Sequence, residues 1–572
     1  METFSSLVTL LARRAETQPE ERAYIFLGDR GTEEAALTFR ELHDSAQALA
    51  TRLTQMVQRG DRAVLVFPPG LEFMIAFFGC LISGVIAVPM MAPRRLSARD
   101  ASAAIVADCD PAIVLTSHAH LIRDDLRGRF PGRRLPWLAV DLAPTKSGTI
   151  DWPAPATEDI AFLQYTSGST SDPKGVAISH GNLRANLEMI RLSLGTTRQS
   201  TYVNWVPLYH DMGLILNALQ ALYVGALCVL MAPNAFMQRP LNWLRAIHHY
   251  RAEIGCSPNF GYDLCVSRYR ADQMQGIDLS SWKVALNGAE PVRAETIRRF
   301  GETFAAHDFN PTAAFPAYGM AEATLLIAGG TRGAGHMTRE VSVAGLRAHM
   351  ARAAATSADT QILVGCGRAL AGERIAIVDP DNNKRLAAEE VGEIWVSGPN
   401  VARTYWRNDE ATRTGLQAQI AGEDDGAMWL RSGDLGFLDP AGELFITGRI
   451  KDLIIVRGIN HYPQDIEHTV QALHPALREN GGAAFSVPDD RGEEMLVVVQ
   501  EVERTERNRI DATEMKDLIR EGVTNQHELF ARHIILIRSG TLPKTTSGKI
   551  QRGLTRQSWL EGRFEDLAAE AN

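Results

Sequence analysis

The chain has 572 residues, of which 45% are apolar and 22% charged, so it is long enough for two or more globular domains and has the composition of a folded protein. Its formal net charge of −9 gives no general attraction to nucleic acid or to an anionic membrane surface. The six cysteines include no C-x-x-C pair, which argues against a zinc site or a disulfide framework and favours a reducing cytosol.

Two segments bear on localisation. Residues 1–21 lack the basic, apolar and small-residue order of a secretory signal peptide, so we expect a cytoplasmic protein. Residues 73–91 carry no charge and approach the length of a membrane span, but glycine, serine and proline residues interrupt the run. The pattern instead predicts a strand at 63–67, a buried helix at 72–82 and a second strand at 85–88. Such a β-α-β unit is apolar because both sheet faces are covered, and we expect no integral membrane association.

Short β-rich runs alternate with helical patterns along most of the chain. They include AIVLTS, AFLQYTS, ALCVLMA and WKVALNG. This alternation predicts an α/β fold whose large N-terminal domain has parallel-type sheets covered by helices, with active loops at the carboxyl ends of the strands. Beyond Gly392 the pattern changes to hairpins, and GFLDPAGELFITG places Asp439, Pro440 and Gly442 in a turn. We therefore expect a β-rich subdomain after the parallel-type sheets.

The best candidate for a domain boundary lies near GRIKDLIIVRG at 448–458, where a charged patch separates two strand-like runs. It predicts a large domain over 1–451 and a small α+β domain over 452–572. We expect the polar tail beyond Arg552 to fray.

The stretch YTSGSTSDPKGV, at 165–176, is a candidate phosphate site. Glycines at 168 and 175 let the backbone approach a ligand closely. Hydroxyl donors for anionic oxygens are supplied by Ser167, Ser169 and Thr170. Lys174 adds a positive charge, but it precedes Gly175, which rules out the kinase-type loop G-x-x-x-x-G-K-S/T. Taken alone, the stretch is equally typical of a surface turn.

A histidine and an aspartate end the apolar run VNWVPLYHDMGLI at 203–215. His210 is a candidate functional residue. For a lone histidine, however, the more common interpretation is a structural one, with Asp211 as the cap of a following helix.

Two further turns contain glycine next to polar side chains. In ALNGAEPVR, Gly288 allows either close ligand approach or a simple bend. In AYGMAEATL, Tyr318 is suited to stacking on a base and Glu322 to holding Mg²⁺ through oxygen. Glu322 is equally suited to the first turn of a helix, where negative charge is favourable.

The last candidates flank the predicted hairpin and follow it. Asp434 could accept both hydroxyls of a ribose and Arg449 could meet sugar or phosphate, whereas a plain hairpin salt bridge is the competing interpretation. LPKTTSGKIQR, at 542–552, is a second Ser/Thr/Gly/Lys turn, and by itself it is typical of a solvated basic loop.

Taken in order, YTSGSTSDPKG, NGAEP, YGMAE, RSGDLG, GRIKDLIIVRG and PKTTSGK resemble the motifs of the adenylate-forming superfamily, which includes acyl-CoA synthetases, luciferases and peptide-synthetase adenylation domains. The resemblance extends from about residue 20 to residue 552. WVPLYHDMGLI, VGCGRALAGERIAIVDP and RGINHYPQDIE are most similar to the fatty acyl-AMP ligases. The resemblance to this family implies a mobile C-terminal domain hinged near Asp452 and a two-step reaction. A carboxylate and ATP give an acyl-adenylate and pyrophosphate, and a thiol then takes the acyl group.

The resemblance also implies ATP and Mg²⁺ as cofactors and assigns the nucleotide site. Its residues would be Thr166, Ser167, Gly168, Ser169, Thr170, Lys174, Gly288, Ala289, Glu290, Tyr318, Gly319, Met320, Ala321, Asp434 and Arg449. Of these, residues 166–170 and Lys174 would hold the β- and γ-phosphates, Tyr318 would stack on adenine and Asp434 would take the ribose hydroxyls. Ala321 stands where many members of the superfamily have a threonine that touches the α-phosphate.

Three catalytic roles follow from the same resemblance. Glu322 would carry Mg²⁺, which bridges phosphate oxygens. His210 would be the gate residue beside the acyl carboxylate. Lys549, brought in by the small domain, would steady the charge between that carboxylate and the α-phosphate.

The thiol acceptor is the remaining question. The chain between Glu322 and Gly367 is long and has little apolar periodicity apart from a short helix-like piece. In the fatty acyl-AMP ligases an insertion at this place, here near 331–360, restrains the small domain and disfavours CoA; the alternative is an inert surface loop. The resemblance thus implies that a medium- or long-chain fatty acid is activated as its adenylate and that the acyl group is transferred to the phosphopantetheine thiol of a holo acyl carrier protein. The alternatives are a fatty acyl-CoA synthetase and a catalytically silent, nucleotide-binding regulatory protein.

Overall fold

A computed structural model describes residues 4–92, 101–123, 135–142, 155–166, 173–456, 459–489, 494–545 and 549–567. The α-helices are α1 (Leu7–Thr17), α2 (Phe39–Leu53), α3 (Glu72–Ser83), α4 (Ala101–Cys109), α5 (His118–Arg123), α6 (His180–Leu194), α7 (Gln220–Val224), α8 (Pro233–Gln238), α9 (Leu241–His249), α10 (Asn259–Ser267), α11 (Ala294–Phe304), α12 (Val343–Arg347), α13 (Asp409–Gly415), α14 (Pro463–Ala472), α15 (Ala512–His527) and α16 (Arg552–Leu560). A π-helix (Met212–Leu219) precedes α7.

The strands that pair in the first 330 residues are β1 (Arg22–Leu27), β2 (Glu33–Thr38), β3 (Arg62–Leu65), β4 (Ile86–Pro89), β5 (Ile113–Thr116), β6 (Trp137–Ala139), β7 (Ile160–Thr166), β8 (Lys174–Ser179), β9 (Thr201–Asn204), β10 (Leu227–Met231), β11 (Ile254–Ser257), β12 (Val284–Asn287), β13 (Ala314–Gly319) and β14 (Leu326–Gly329). Those that follow are β15 (Thr338–Ser342), β16 (Thr360–Val364), β17 (Arg368–Ala369), β18 (Arg374–Val378), β19 (Gly392–Ser397), β20 (Leu430–Leu438), β21 (Leu444–Arg449), β22 (Ile454–Val456), β23 (Ile459–His461), β24 (Leu477–Pro488), β25 (Glu494–Val502) and β26 (Ala531–Arg538).

Two large, mainly parallel sheets form the centre of the molecule. One has the order β17-β14-β13-β12-β11-β9-β10-β1-β2, and its strands from β13 to β1 run parallel. The other has the order β6-β5-β3-β4-β7-β8 and is parallel up to β7. Side chains from both sheets and from helices such as α2 and α3 share one apolar core. The predicted α/β fold is confirmed.

The apolar run at 73–91 forms part of this core. Strands β3 and β4 pair in parallel on either side of α3, as the β-α-β prediction required. Helix α3 ends at Gly84, whose positive φ of 65° suits a residue without a side chain and turns the chain into β4. No helix in the described part of the chain is long and apolar enough to cross a membrane.

The β-rich region after β17 consists of antiparallel strands. Strands β18, β19, β20 and β21 form one sheet, and the turn predicted between the last two is confirmed. In that turn the Asp439 carboxylate accepts the backbone N–H of Ala441, and Gly442 has a φ of 85°. The positive φ explains why the hairpin signal in GFLDPAGELFITG was strong.

Residues 331–360 contain more structure than the sequence predicted. The helix-like piece is α12, but β15 and β16 also pair as an antiparallel hairpin on either side of it. Val341, Leu346 and Leu363 are buried there, in a cluster with Phe437 and Tyr462. So few apolar positions, separated by polar ones, leave no detectable periodicity.

The C-terminal residues pack around cores of their own. The sheet β24-β25-β26 combines an antiparallel and a parallel pair, and α14, α15 and α16 contact it. The expected fraying beyond Arg552 is wrong as far as Leu567, which is buried and whose N–H donates to the Leu536 carbonyl at 2.9 Å. The periodicity of α16 is too short to have indicated this docking.

Candidate active site

The parallel strands bring most of the candidate residues to one edge. Gly288 follows β12, and Tyr318 and Gly319 end the adjacent β13. His210 lies beyond β9 in the same sheet, while Thr166 ends β7 in the other sheet. Because the carboxyl ends of parallel strands meet at one edge, the loops converge as expected for an α/β ligand site.

Asp434, on β20, is enclosed by two partners. It is 5% exposed, and Arg449, opposite it on β21, donates from Nε to Oδ1 at 2.6 Å. The hydroxyl of the buried Tyr318 donates to the other carboxylate oxygen at 2.9 Å. The hairpin salt bridge therefore exists, and the hydrogen bond from Tyr318 joins the hairpin to the end of β13. These three groups share one patch of the candidate site.

Glu322 lies in a tight turn after β13 and is held by a residue that the sequence did not single out. The Tyr405 hydroxyl donates to its Oε1 at 3.0 Å. Burial raises the pKa of Glu322 above its usual value, which the hydrogen bond from Tyr405 opposes. The Tyr405 ring also faces the Lys174 ammonium, 5.1 Å from the ring centroid. One aromatic side chain thus contacts both a predicted metal ligand and a predicted phosphate ligand.

His210 stands at the start of an uncommon helix. Its Nδ1 lies 2.6 Å from Asp211 Oδ1, and the same oxygen accepts the backbone N–H of Met212, the first residue of the π-helix. A Cβ on Gly213 would lie 2.2 Å from the Pro207 carbonyl oxygen, so only glycine permits this close packing. The structural prediction for Asp211, a helix cap, is confirmed; the helix is π rather than α, which often marks a functional site.

The surroundings of Asp211 act on the pKa of its carboxyl group in opposite directions. Burial by itself would raise its pKa, but the charge and hydrogen bond of His210 and the Met212 N–H together hold the pKa below its usual value. The charge of Lys549 acts in the same direction.

The loop after β12 is anchored by a buried amide. Asn259 donates from Nδ2 to Glu290 Oε1 at 3.0 Å and accepts the Asn287 amide at 3.0 Å. Ala289 has a φ of 70°, a backbone conformation that residues other than glycine rarely adopt. Asn259 is a part of the site that the sequence did not indicate.

Lys549 reaches this cluster from the far end of the chain. Burial lowers its pKa and the nearby Arg449 guanidinium lowers it further, while Glu290, Asp211 and Asp434 act in the opposite direction. Among the described residues, no carboxylate lies within ion-pair distance of its ammonium. Lys549 is thus a cation within electrostatic reach of three acids from three separate parts of the chain.

The other predicted residues fall into three groups. Met320 and Ala321 precede Glu322 in the turn after β13, and Ala321 is buried. Ser167, Gly168, Ser169 and Thr170 lie outside the described residues. The carboxylate of Asp452, the predicted hinge, accepts from Arg552 Nη1 at 3.0 Å, and its charge also acts on Arg449.

Comparison with known proteins decides the family. Residues 11–406, more than half of the chain, match the model of the AMP-binding enzymes. The chain belongs to the AMP-binding enzyme family. Residues 451–569 match the model of the AMP domain of Disco-interacting protein 2-like proteins. The resemblance that the motifs indicated is therefore confirmed.

Full-length relatives of this AMP-binding enzyme carry related names. It is 42% identical to the medium-chain fatty acid–acyl-carrier-protein ligase JamA of Moorena producens, over 99% of this chain and 97% of the relative. It is 35% identical to the ligase of the same name, TtuA, of Teredinibacter turnerae, over 96% of this chain and 92% of the relative. A fatty acyl-adenylate ligase of L. pneumophila, solved with acyl adenylate and pyrophosphate, is 38% identical, with a TM-score of 0.75 over 99% of this chain and 98% of that one.

Proposed function

We propose that this enzyme activates a medium- or long-chain fatty acid with ATP and transfers the acyl group to the phosphopantetheine thiol of an acyl carrier protein. The observation that carries the first step is the position of Lys549, a cation within electrostatic reach of Asp211 and Glu290, which follow strands of the nine-stranded sheet, and of Asp434 in the hairpin. The relatives named above, which are similar over almost their whole length, support both steps. We place the reaction in the cytoplasm.

The chemistry requires positive charge more than proton transfer. A fatty carboxylate must attack the α-phosphorus of ATP, so two anions meet and pyrophosphate leaves. Lys174, Arg449 and Lys549 are the cations that we assign to the triphosphate, the ribose side and the reacting centre, respectively. Fixed charges in a site shielded from water stabilise such a transition state strongly, because they need no reorganisation.

The residues at Glu322 fit an Mg²⁺ ion held mainly by phosphate. Mg²⁺ commonly binds through one or two carboxylates together with substrate phosphates, and Glu322 is a half-buried carboxylate with one oxygen already oriented by Tyr405. The ion would neutralise charge on the phosphate oxygens. Tyr405 would keep the carboxylate facing the triphosphate rather than the protein interior.

We also propose that residues 452–572 form a mobile domain hinged at Asp452. Separate apolar clusters of C-terminal side chains support an independent unit. Movement at the hinge would carry Lys549 away after adenylation and open the site to the thiol. In the position that it has here, Lys549 would serve the first step.

The first prediction concerns adenylation itself. Purified enzyme with ATP, Mg²⁺ and fatty acids of graded length should release pyrophosphate and form an acyl-adenylate, with a maximum in the medium- to long-chain range. Pyrophosphate release is followed by a coupled assay and the adenylate by mass spectrometry. Failure to form an adenylate with any chain length would contradict the proposal and would favour a silent nucleotide-binding protein instead.

The second step depends on the region at 331–360, which we propose restrains the small domain. Gln361 donates from Nε2 to Asp465 Oδ1 at 2.8 Å, and His349 Nε2 lies 2.7 Å from the Asn460 amide. Arg347 donates to the His527 carbonyl at 3.4 Å. These contacts join the hairpin region to three segments of the C-terminal part. They are a more direct target than a deletion, which would remove the buried Val341 and Leu346 as well.

The second prediction tests that restraint. The triple variant Arg347→Ala, His349→Ala, Gln361→Ala should form acyl-CoA faster than the wild type, because loosening the contacts frees the small domain to turn. Wild-type enzyme should acylate a holo carrier protein and barely use CoA. Arg352→Ala, an exposed change in the same region, serves as the control. Efficient acyl-CoA formation by the wild type would favour the CoA synthetase alternative, and an unchanged ratio in the variant would refute the restraint.

A further inference from the structure

The turn that carries Glu322 has a strained backbone. Thr324 has a φ of 66° and a ψ of −58°, and the Leu325 N–H donates to the Ala323 carbonyl at 2.7 Å. This is a γ-turn with a positive φ, a rare and unfavourable conformation. A β-branched residue is especially poorly suited to it. Such strain persists only where surrounding contacts hold it, and it concentrates at functional sites.

The contacts that hold the turn come from one buried asparagine. The Thr324 hydroxyl donates to the Asn400 carbonyl at 2.6 Å, and the Asn400 amide donates to the Ala323 carbonyl at 3.1 Å. Neither Thr324 nor Asn400 exposes any surface. Asn400 therefore forms hydrogen bonds with both residues of the central peptide of the γ-turn, the Ala323 carbonyl and the Thr324 hydroxyl. This explains how a threonine is kept in a conformation that glycine would adopt more readily.

A buried acid completes the set. Glu373 is 8% exposed and its Oε1 accepts from the Asn400 amide at 3.0 Å. Burial raises the pKa of Glu373 well above its usual value, which the hydrogen bond from Asn400 opposes. This hydrogen bond orients the Asn400 amide, which also donates to the Ala323 carbonyl.

The segment that follows Asn400 continues to the predicted ligand groups. The Ala402 N–H donates to the Glu322 carbonyl at 2.8 Å, and Tyr405 holds the Glu322 side chain. The Asn182 amide in turn donates to the carbonyls of Pro399 and Val401, at 2.9 Å each. Residues 399–405 are thus fixed at one end on α6 and present both a backbone N–H and a hydroxyl to Glu322.

From this geometry we propose that Thr324 and Asn400 are positioning residues for adenylation: they hold the Glu322 turn in its strained form so that the carboxylate faces the metal-bound triphosphate. The proposal rests on the proposed function, which places Glu322 at the metal. It assigns no contact between Thr324 or Asn400 and the substrate. Their effect is transmitted through the backbone of the γ-turn.

Thr324→Val and Thr324→Ser form a matched pair, since valine keeps the branched shape and serine keeps the hydroxyl. Two readouts are used: the Mg²⁺ concentration for half-maximal pyrophosphate release, and the Mg²⁺-dependent part of the rise in melting temperature caused by ATP. For Thr324→Val we expect the half-saturating Mg²⁺ concentration to rise about 10- to 100-fold, as for other residues that orient a metal ligand, and the Mg²⁺-dependent temperature shift to be lost. Thr324→Ser should restore both.

The outcomes separate this proposal from the proposed function. A wild type that makes acyl-adenylate, together with a Thr324→Val variant of unchanged Mg²⁺ requirement, would overturn the positioning role alone. A wild type whose melting temperature shows no Mg²⁺-dependent response to ATP would overturn the placement of Glu322 and this proposal with it. If Thr324→Val does not fold, Asn400→Asp is used instead. Aspartate keeps the shape of the side chain but adds a negative charge and cannot donate to the Ala323 carbonyl, so it should give the same rise in Mg²⁺ requirement. A normal requirement would refute the proposal.

Discussion

Lys549→Ala is expected to reduce the rate of acyl-adenylate formation by about 100- to 1,000-fold, the loss typical of removing one preorganised group that stabilises transition-state charge. The affinity for ATP should change little, because the groups assigned to the triphosphate, ribose and base lie elsewhere in the chain. The rate is measured by single-turnover pyrophosphate release, and ATP binding by calorimetry. The prediction therefore requires a fall in rate without a matching fall in affinity.

Two further variants sharpen this result. Lys549→Arg keeps the charge but changes the shape and hydration of the cation, so we expect partial activity. Lys384→Ala removes an exposed lysine from a surface turn and should behave as wild type. An adenylation rate for Lys549→Ala equal to that of the wild type would show that the catalytic assignment is wrong. A parallel loss of ATP affinity would instead make Lys549 a binding residue.

Sequence reasoning predicted the parts of the fold that depend on local pattern. The β-α-β unit around α3 and the turn at Asp439 were both foreseen, because apolar runs and turn residues are adjacent in the chain. The hairpin at 338–364 was not, since its apolar side chains are few and widely spaced. The docking of Leu567 was missed for the same reason: one leucine in a polar tail carries no periodicity.

The candidate site shows a similar limit. Its motifs name the groups that are predicted to face the ligand, but not the residues that hold those groups in place. Asn259, Asn400 and Tyr405 each act on a group far away in the sequence, such as the Asn400 amide on the Ala323 carbonyl. No spacing rule links such positions, and isolated asparagines and tyrosines are common in ordinary loops and cores. Only the fold brings these partners together.

The loop that carries Lys549 is also held by residues that are distant from it in the sequence. Glu501, on β25, is fully buried, and its Oε1 accepts the backbone N–H groups of Gly540 and Leu542 at 2.8 and 2.9 Å. Its Oε2 accepts from Arg478 Nη1 at 2.9 Å and lies 4.0 Å from the Lys544 ammonium. Replacing a buried carboxylate with this many donors lowers stability strongly, because all of its partners lose a hydrogen-bond acceptor or a compensating charge at the same time.

This support extends to Lys549 through two hydrogen bonds with Thr545. Thr545 donates from its backbone N–H to the Lys549 carbonyl at 2.7 Å, and its hydroxyl oxygen accepts the Lys549 N–H at 3.0 Å. Lys544 and Ile550 pair beside it. The position of Lys549 therefore depends on the segment that Glu501 fixes, although the two side chains make no contact with each other.

Glu501→Gln should consequently lower both stability and catalysis. We expect the free energy of unfolding of the C-terminal part to fall by about 3 kcal/mol, measured by denaturant titration. The adenylation rate of the folded enzyme, measured well below its melting temperature, should fall by about tenfold or more, because a small displacement of a catalytic group lowers the rate strongly. Glu503→Gln is the matched control: Glu503 lies 3.9 Å from the same arginine but is 42% exposed, so its loss should cost little. If Glu501→Gln lost stability while the folded enzyme kept its full adenylation rate, the buried carboxylate would serve the fold only, and the loop carrying Lys549 would be positioned by other contacts.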